Sequence, residues 1–419
     1  MQLKFSKILN RLDIVIFFFV ILVTLRPITY SVGDFLVYLK GSRQILANQE
    51  IYEIDFAGFG TRFFNGPLWA YVISVLTIFP SSIALMIFRT LGLFASLKLL
   101  RMQFSNFTQQ SFILVSLFLL WFPYRMNMNL AQGAAIAGMI LLIVSHKMSV
   151  GNLKTMEMFM CASLISIALN YKPALVLFFL VYLLITRHYK LLFLVSIFNG
   201  LFQAFLIKWN PNASYLKWFQ LMLERNRRIV ESDNSNLVGP WALLSRLFDL
   251  KPSFLNAFSI LLFLTIVTLL VIRKKRDFNF NDSLVMLSIG VLIGPYSPAQ
   301  DSFLLSLALI VYFKKENNIY YRYLLILISS FWSLSTEISY VKSVFLIIAI
   351  SYLIFRVFNS FILSTIHLLF ASILLIVSFA NQYDHIIYDI SGFGSLMASL
   401  YVLIKMLSLP SLNNMKSVV

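Results

Sequence analysis

Apolar runs of about 12 to 20 residues, separated by short polar breaks, recur along almost the whole chain. A hydrocarbon core about 30 Å thick is crossed by about 20 helical residues, with a range of roughly 17–25. On that measure, candidate spans lie at residues 12–30, 82–101, 111–124, 128–145, 156–170, 173–186, 191–207, 254–272, 283–296, 302–313, 323–335, 343–355, 361–379 and 392–407. Several are short, so the pattern predicts an all-α polytopic transmembrane helical bundle of about 12–14 spans.

Lys4, Lys7 and Arg11 precede the first run as they would in a secretory signal. Arg26-Pro27-Ile28-Thr29-Tyr30 follows it, where cleavage would need small residues, so a retained first span is expected.

Residues 67–79 stand apart, because their 13 positions run from Pro67 to the residue before Pro80 and are too few to span. Reading them as an interfacial helix makes residues 31–81 one external loop. Upstream in that loop, residues 34–48 read as an amphipathic helix with Phe35, Leu39 and Leu46 on one face and Lys40, Gln44 and Asn48 roughly opposite, suited to lying along the membrane surface. With this parity, Lys98/Arg101, Lys147/Lys154, Arg187/Lys190, Arg273 to Arg276, Lys314/Lys315/Arg322, Arg356 and Lys405/Lys416 all fall on the inside, as the positive-inside rule asks.

Composition agrees with the pattern: the 419 residues are 59% hydrophobic and 12% charged, and the mean hydropathy is +0.83. Both values are those of an integral membrane protein without a large soluble domain. The excess of 34 Lys and Arg over 17 Asp and Glu gives a net charge of +17, which in a soluble chain would suggest nucleic acid. Here the cations punctuate apolar runs, and no nucleic acid partner is expected. Cys161 is alone inside an apolar run, which excludes an internal disulfide and a CxxC site. His146, His188, His367 and His385 have no ligand spacing, and no glycine-rich nucleotide loop is present, so neither a metal nor a nucleotide cofactor is expected.

The second large loop, residues 208–252, breaks the charge rule by placing Lys208, Lys217, Arg225, Arg227, Arg228, Arg246 and Lys251 outside. Two readings stay open: long loops translocate regardless of charge, or the cations are kept to bind an anion.

The first loop opens with Val32-Gly33-Asp34-Phe35 directly after a span, continues through Tyr38 and Gln49-Glu50-Ile51-Tyr52, and reaches Phe63-Phe64-Asn65-Gly66-Pro67-Leu68. This resembles the first external loop of the GT-C glycosyltransferases, and among them the polyprenol-phosphate-mannose-dependent mannosyltransferases of family 87. In that family an acid just beyond the first span begins a juxtamembrane helix, a G-x-x-x-Y segment follows, and a paired-proline motif opens an interfacial helix. Asp34 and Tyr52 match; Asn48 stands in place of the glycine, and Asn65-Gly66-Pro67 in place of the two prolines. Asn129-Leu130-Ala131-Gln132-Gly133 resembles the family's Gly-Gln segment with the order inverted, and Lys172-Pro173 its lysine-proline. Asp233-Asn234-Ser235-Asn236-Leu237 resembles its Asn-x-Ser stretch, and Ser297-Pro298-Ala299-Gln300-Asp301 its Ser-Pro segment, with Gln300 where many relatives carry histidine.

The resemblance implies a catalytic module over residues 1–313, including loops 31–81 and 208–252, followed by C-terminal transmembrane helices at 314–419. It implies transfer of a hexose, mannose above others, from a polyprenyl phosphate to a lipid or glycan acceptor, at the extracytoplasmic face of a prokaryotic plasma membrane, with inversion. Such a transfer needs a base to take the acceptor proton as C1 gains oxocarbenium character, and a carboxylate is the usual agent. Asp34 is the candidate; by position alone it would read as a helix cap. Glu50, Glu53 and Asp55 lie in the polar middle of the loop and are expected to be solvated.

The leaving phosphate asks for cations. Lys172 and Arg125 sit at outer span ends, where snorkelling is the alternative reading, and Arg225, Arg227 and Arg228 are the densest loop cluster, where a solvated helix face is the alternative. Tyr38, Gln132, Asn234, Ser235, Gln300 and Asp301 could bond sugar or acceptor hydroxyls. A secondary transporter or lipid-glycan flippase is the competing class, disfavoured by the lack of an internal repeat and by Arg89 being the only clear charge at the middle of a span. A glycan polymerase or ligase would rely on the loop arginines without needing Asp34.

Overall fold

The computed structural model describes residues 13–15, 17–18, 33–52, 63–103, 109–121, 123–125, 131–150, 153–222, 303–313, 318–334, 340–380 and 386–408, with 261, 264, 265, 267, 268, 287 and 288 between them. All regular structure among these residues is helical. The helices are α1 (Gly33–Leu46), α2 (Pro67–Ser74), α3 (Ser81–Gln103), α4 (Gln109–Leu120), α5 (Ala134–Val150), α6 (Thr155–Tyr171) and α7 (Pro173–Ile185). They continue with α8 (Tyr189–Trp209), α9 (Phe303–Phe313), α10 (Ile319–Phe331), α11 (Tyr340–Phe358), α12 (Phe361–Ala380) and α13 (Ile386–Ser408). The expected all-α bundle is what forms.

By length and composition, Ser81–Arg101, Tyr189–Trp209 and Phe361–Phe379 are each able to cross a membrane, and shorter apolar helices surround them. The outer faces of α8 and α12 carry exposed Phe193, Leu201, Phe205, Ile362, Leu369 and Ile376. Apolar faces of that extent are stable against lipid, not against water. Inside, the packing is between large aromatics and small residues: Trp69, Trp121 and Trp332 are fully buried, and serines of α10 and α13 line helix contacts. Arg89 is buried within α3.

Residues 67–79 do form a short helix, α2, extended by a 3-10 turn over Val75–Ile78 that ends before Pro80. It packs against α1 and α6. The face of α1 differs in part from expectation. Phe35, Tyr38, Leu39, Ser42 and Ile45 are buried, but Leu46 is 54% exposed, being the last residue of the helix with no further turn to cover it. Val37, on the side opposite Phe35, is buried as well. The helix is therefore seated among neighbours, with a strip of Leu36, Lys40, Arg43 and Leu46 open. It is more deeply placed than a helix resting on a surface.

Long-range fastenings join segments that the charge pattern puts on the same side. At one end, Asn210 Nδ2 donates to Ile45 O (3.3 Å), Trp218 Nε1 to Phe64 O (2.9 Å) and Arg125 Nη2 to Leu334 O (2.5 Å). At the other, Lys147 pairs with Glu157 (3.0 Å) and Arg356 with Asp13 (2.5 Å), while Lys405 lies over the Tyr321 ring (4.0 Å). Residues 33–52, 63–81 and 208–222 thus share an end with the turns after α4 and α6. This is the end at which the motif residues meet.

Candidate functional site

The first polar element of this end is Asn170, in the last turn of α6 and fully buried. Its backbone carbonyl accepts from Gly66 N (2.6 Å) and its side-chain oxygen from Leu68 N (3.2 Å). Leu68 is the second residue of α2, and Gly66 has no side chain with which to cap it, so Asn170 caps the helix from another span. A Cβ at position 66 would fall on the Asn170 amide, which explains glycine there despite its ordinary extended backbone. Asn65 Nδ2 adds a bond to Tyr171 O (2.5 Å).

Asn170 Nδ2 also donates to Ser166 O (2.9 Å) and to Asn199 Oδ1 (3.2 Å) on α8. Asn199 Oδ1 accepts in addition from the Tyr215 hydroxyl (2.9 Å), at the start of the second loop. A polar amide within an apolar span is costly unless its bonds are met. Here both asparagines meet them by holding the two loops to the bundle.

Gln132 and Tyr38 come together. The Tyr38 hydroxyl donates to Gln132 Oε1 (3.0 Å), and the Tyr171 hydroxyl donates to the same oxygen (3.0 Å). Trp69 packs at a tilt against Tyr171 (centroids 4.8 Å) and meets Tyr38 edge-on (6.3 Å). Gly133 lies so close to Trp69 and Tyr171 that a Cβ would stand 2.7 and 2.9 Å from their rings. Ala131 has φ 48, the left-handed region that side chains disfavour, and α5 starts only at Ala134 where an unbroken span from 128 was expected. The chain turns sharply here to bring Gln132 between two tyrosines.

Asp34 is the second residue of α1, four before Tyr38, so the two positions share one face of the helix. Lys172 ends α6 and precedes Pro173 in an extended conformation (φ −155, ψ 101), as a residue before proline must. It is half-buried and adjacent in sequence to Tyr171, at the same end as Gln132. Arg125 directs Nε to Leu120 O (2.7 Å) and Nη2 to Leu334 O (2.5 Å), linking the break after α4 to the end of α10. Arg225, Arg227, Arg228, Asn234, Ser235, Gln300 and Asp301 lie outside the described residues, as do Asn129, Glu53 and Asp55.

Glu50, expected to be solvated, is instead engaged. Its carboxylate pairs with Lys217 (2.7 Å) and accepts from Ile51 N (3.0 Å) and Tyr52 N (2.8 Å), closing the second loop onto the first. Tyr52 beneath it is buried, and its hydroxyl has no hydrogen-bond partner among the described residues. Burial first, then Tyr215 and Glu50 nearby, push this phenol well above its usual range, which keeps it a neutral donor.

Sequence reasoning did not single out Asn170, Asn199 or Tyr171. The available signal was the presence of two asparagines within apolar runs.

The family model for glycosyltransferase family 87 matches residues 63–295. That stretch contains Asn65-Gly66-Pro67, Gln132 and Lys172-Pro173 and starts after Asp34 and Tyr38. Neither the curated proteins nor the solved structures contain a match.

Proposed function

The chain belongs to glycosyltransferase family 87, and on that footing we propose that it moves a hexose, mannose foremost, from a polyprenyl phosphate to a lipid or glycan acceptor at the extracytoplasmic face, with inversion at C1. The observation that supports this reading best is the meeting at one end of the bundle of Tyr38, the Gly66-Pro67 turn, Gln132 and the Tyr171-Lys172 junction. They come from four separate stretches of sequence, and the same end holds the described parts of both polar loops.

In this reading the donor lies with its chain in the bilayer and its phosphate at the span ends. Asp34 takes the proton of the acceptor hydroxyl as that oxygen attacks C1. The bond from C1 to the phosphate oxygen breaks, and the polyprenyl phosphate leaves with its electron pair. Attack opposite the leaving group inverts the centre. Lys172, with Arg225, Arg227 and Arg228 from the second loop, offsets the charge on the departing phosphate through charge-assisted bonds. Asn234, Ser235, Gln300 and Asp301 are assigned to sugar or acceptor hydroxyls.

The test is direct. Purified protein supplied with radiolabelled polyprenyl-phosphate hexoses and membrane-extract acceptors should release polyprenyl phosphate and yield a labelled product with one hexose in preference to others. Absence of transfer from every polyprenyl-phosphate hexose, in protein shown to be folded, would remove this donor class.

A further inference from the structure

Gln132 accepts two phenolic hydroxyls on one amide oxygen, from Tyr38 on α1 and from Tyr171 at the end of α6, each at 3.0 Å. An amide oxygen has two lone pairs, so both are taken and that atom has no capacity left for a sugar hydroxyl. The two tyrosines are the informative part. Tyr38 stands one helical turn after Asp34, a rise of about 6 Å, and Tyr171 is the residue before Lys172. Gln132 therefore joins the helix that carries the carboxylate to the junction that carries the cation.

The surroundings allow this bridge little freedom. Gly133 admits no side chain beside Trp69 and Tyr171, Ala131 holds the left-handed turn before it, and Tyr38 and Tyr171 are themselves buried. Tyr171 is further fixed by Asn65 on its carbonyl. We propose that Gln132 is a positioning residue, setting the separation between Asp34 and Lys172 through Tyr38 and Tyr171, and that it does not bind the sugar through its oxygen. The proposal rests on the base and phosphate roles given to Asp34 and Lys172 above. Displacing a catalytic group by about 1 Å can cost about a hundredfold in rate, so a bridge of this kind acts on turnover more than on binding.

The experiment compares kcat and KM for the polyprenyl-phosphate hexose donor in Gln132→Met, Gln132→Glu, Tyr38→Phe, Tyr171→Phe and the double tyrosine variant. Methionine keeps the length and loses the acceptor; glutamate keeps an acceptor for both hydroxyls and loses the amide donor. Gln132→Met should lower kcat about ten- to a hundredfold with little change in KM. Gln132→Glu should recover most of that loss. Each Tyr→Phe change should lower kcat, and the double variant should be less impaired than the product of the singles, since either one already breaks the bridge.

If Gln132 touches the sugar instead, Gln132→Glu will be as poor as Gln132→Met, KM will rise, and the tyrosine changes will be silent; that pattern overturns the proposal. Strict multiplicativity of the two tyrosine changes also overturns it. Should Gln132→Met not fold, the tyrosine pair carries the test alone. Should the wild type show no transfer from these donors, the functional reading fails separately, and a thermal-unfolding cycle between Tyr38 and Tyr171 decides whether the bridge exists, no coupling meaning that it does not.

Discussion

The side-chain oxygen of Asn170 accepts the backbone amide of Leu68 across 102 residues of sequence, so the N-terminus of α2 is capped by the end of α6. Gly66 is the space that this contact needs. Gly66→Ala should therefore destabilise the protein, and Asn170→Ala should cost about 1–3 kcal/mol for each buried partner left unsatisfied. In the double variant the added methyl occupies room vacated by the amide, and the combined loss should fall short of the sum by about 0.5–3 kcal/mol. Thermal unfolding of the four proteins in detergent measures this, and simple additivity would show that the two residues do not compete for one space.

Asp34→Asn should abolish most turnover while leaving donor binding intact. The amide keeps shape and hydrogen bonding but cannot take the acceptor proton, and loss of a general base costs about 10²–10⁴-fold in rate. Near-normal turnover in single-turnover transfer assays would reduce Asp34 to a cap and direct attention to Asp301, since Glu50 is already paired with Lys217.

Lys172→Gln, and separately the triple change of Arg225, Arg227 and Arg228 to Gln, should raise the donor concentration needed for half-maximal rate. Each charge-assisted contact contributes about 1.5–3 kcal/mol, so the shift per lost contact is about ten- to a hundredfold. Insertion and monodispersity should persist. Unchanged donor affinity in both variants would leave these cations to topology and solubility.

Single cysteines at Gln49 and Ser82, both exposed, in a Cys161→Ala background should both react with an impermeant thiol reagent added from outside. They flank α2, which the parity argument keeps from spanning. Labelling of the second site only from the cytoplasmic side would reverse every later loop.

The positions of the described helices were largely legible because a bilayer enforces length and composition on each span. The two departures in α1 and α5 have local causes, a helix end at Leu46 and a left-handed residue at Ala131. Asn48, which stands where the family resemblance has glycine, adopts φ 55 in a turn where Gln49 N reaches Gln44 O (2.9 Å) and Asn48 N reaches Ile45 O (3.2 Å). Asparagine is the next most tolerant residue in that conformation, so the departure from pattern preserves the geometry. The site was less legible. Tyr38, Gln132 and Lys172 could be named from the chain, but not the bonds that join Gln132 to Tyr38 and Tyr171, because pairings over 94 and 39 residues leave no periodic trace. The engagement of Glu50 by Lys217, 167 residues on, was hidden for the same reason.

The ion pair at the opposite end has a consequence for the order in which the molecule is made. Asp13 leaves the ribosome 343 residues before its partner Arg356. In the finished bundle the Asp13 side chain is 1% exposed and held by both Nε and Nη2 of Arg356, with the Tyr352 hydroxyl as a third donor (3.0 Å). Until α11 enters the membrane, these three donors are missing from that carboxylate. The segment that carries Asp13 is thus made early and locked late. A nascent chain halted anywhere before α11 lacks this lock, and so differs at Asp13 from a chain that has reached α11.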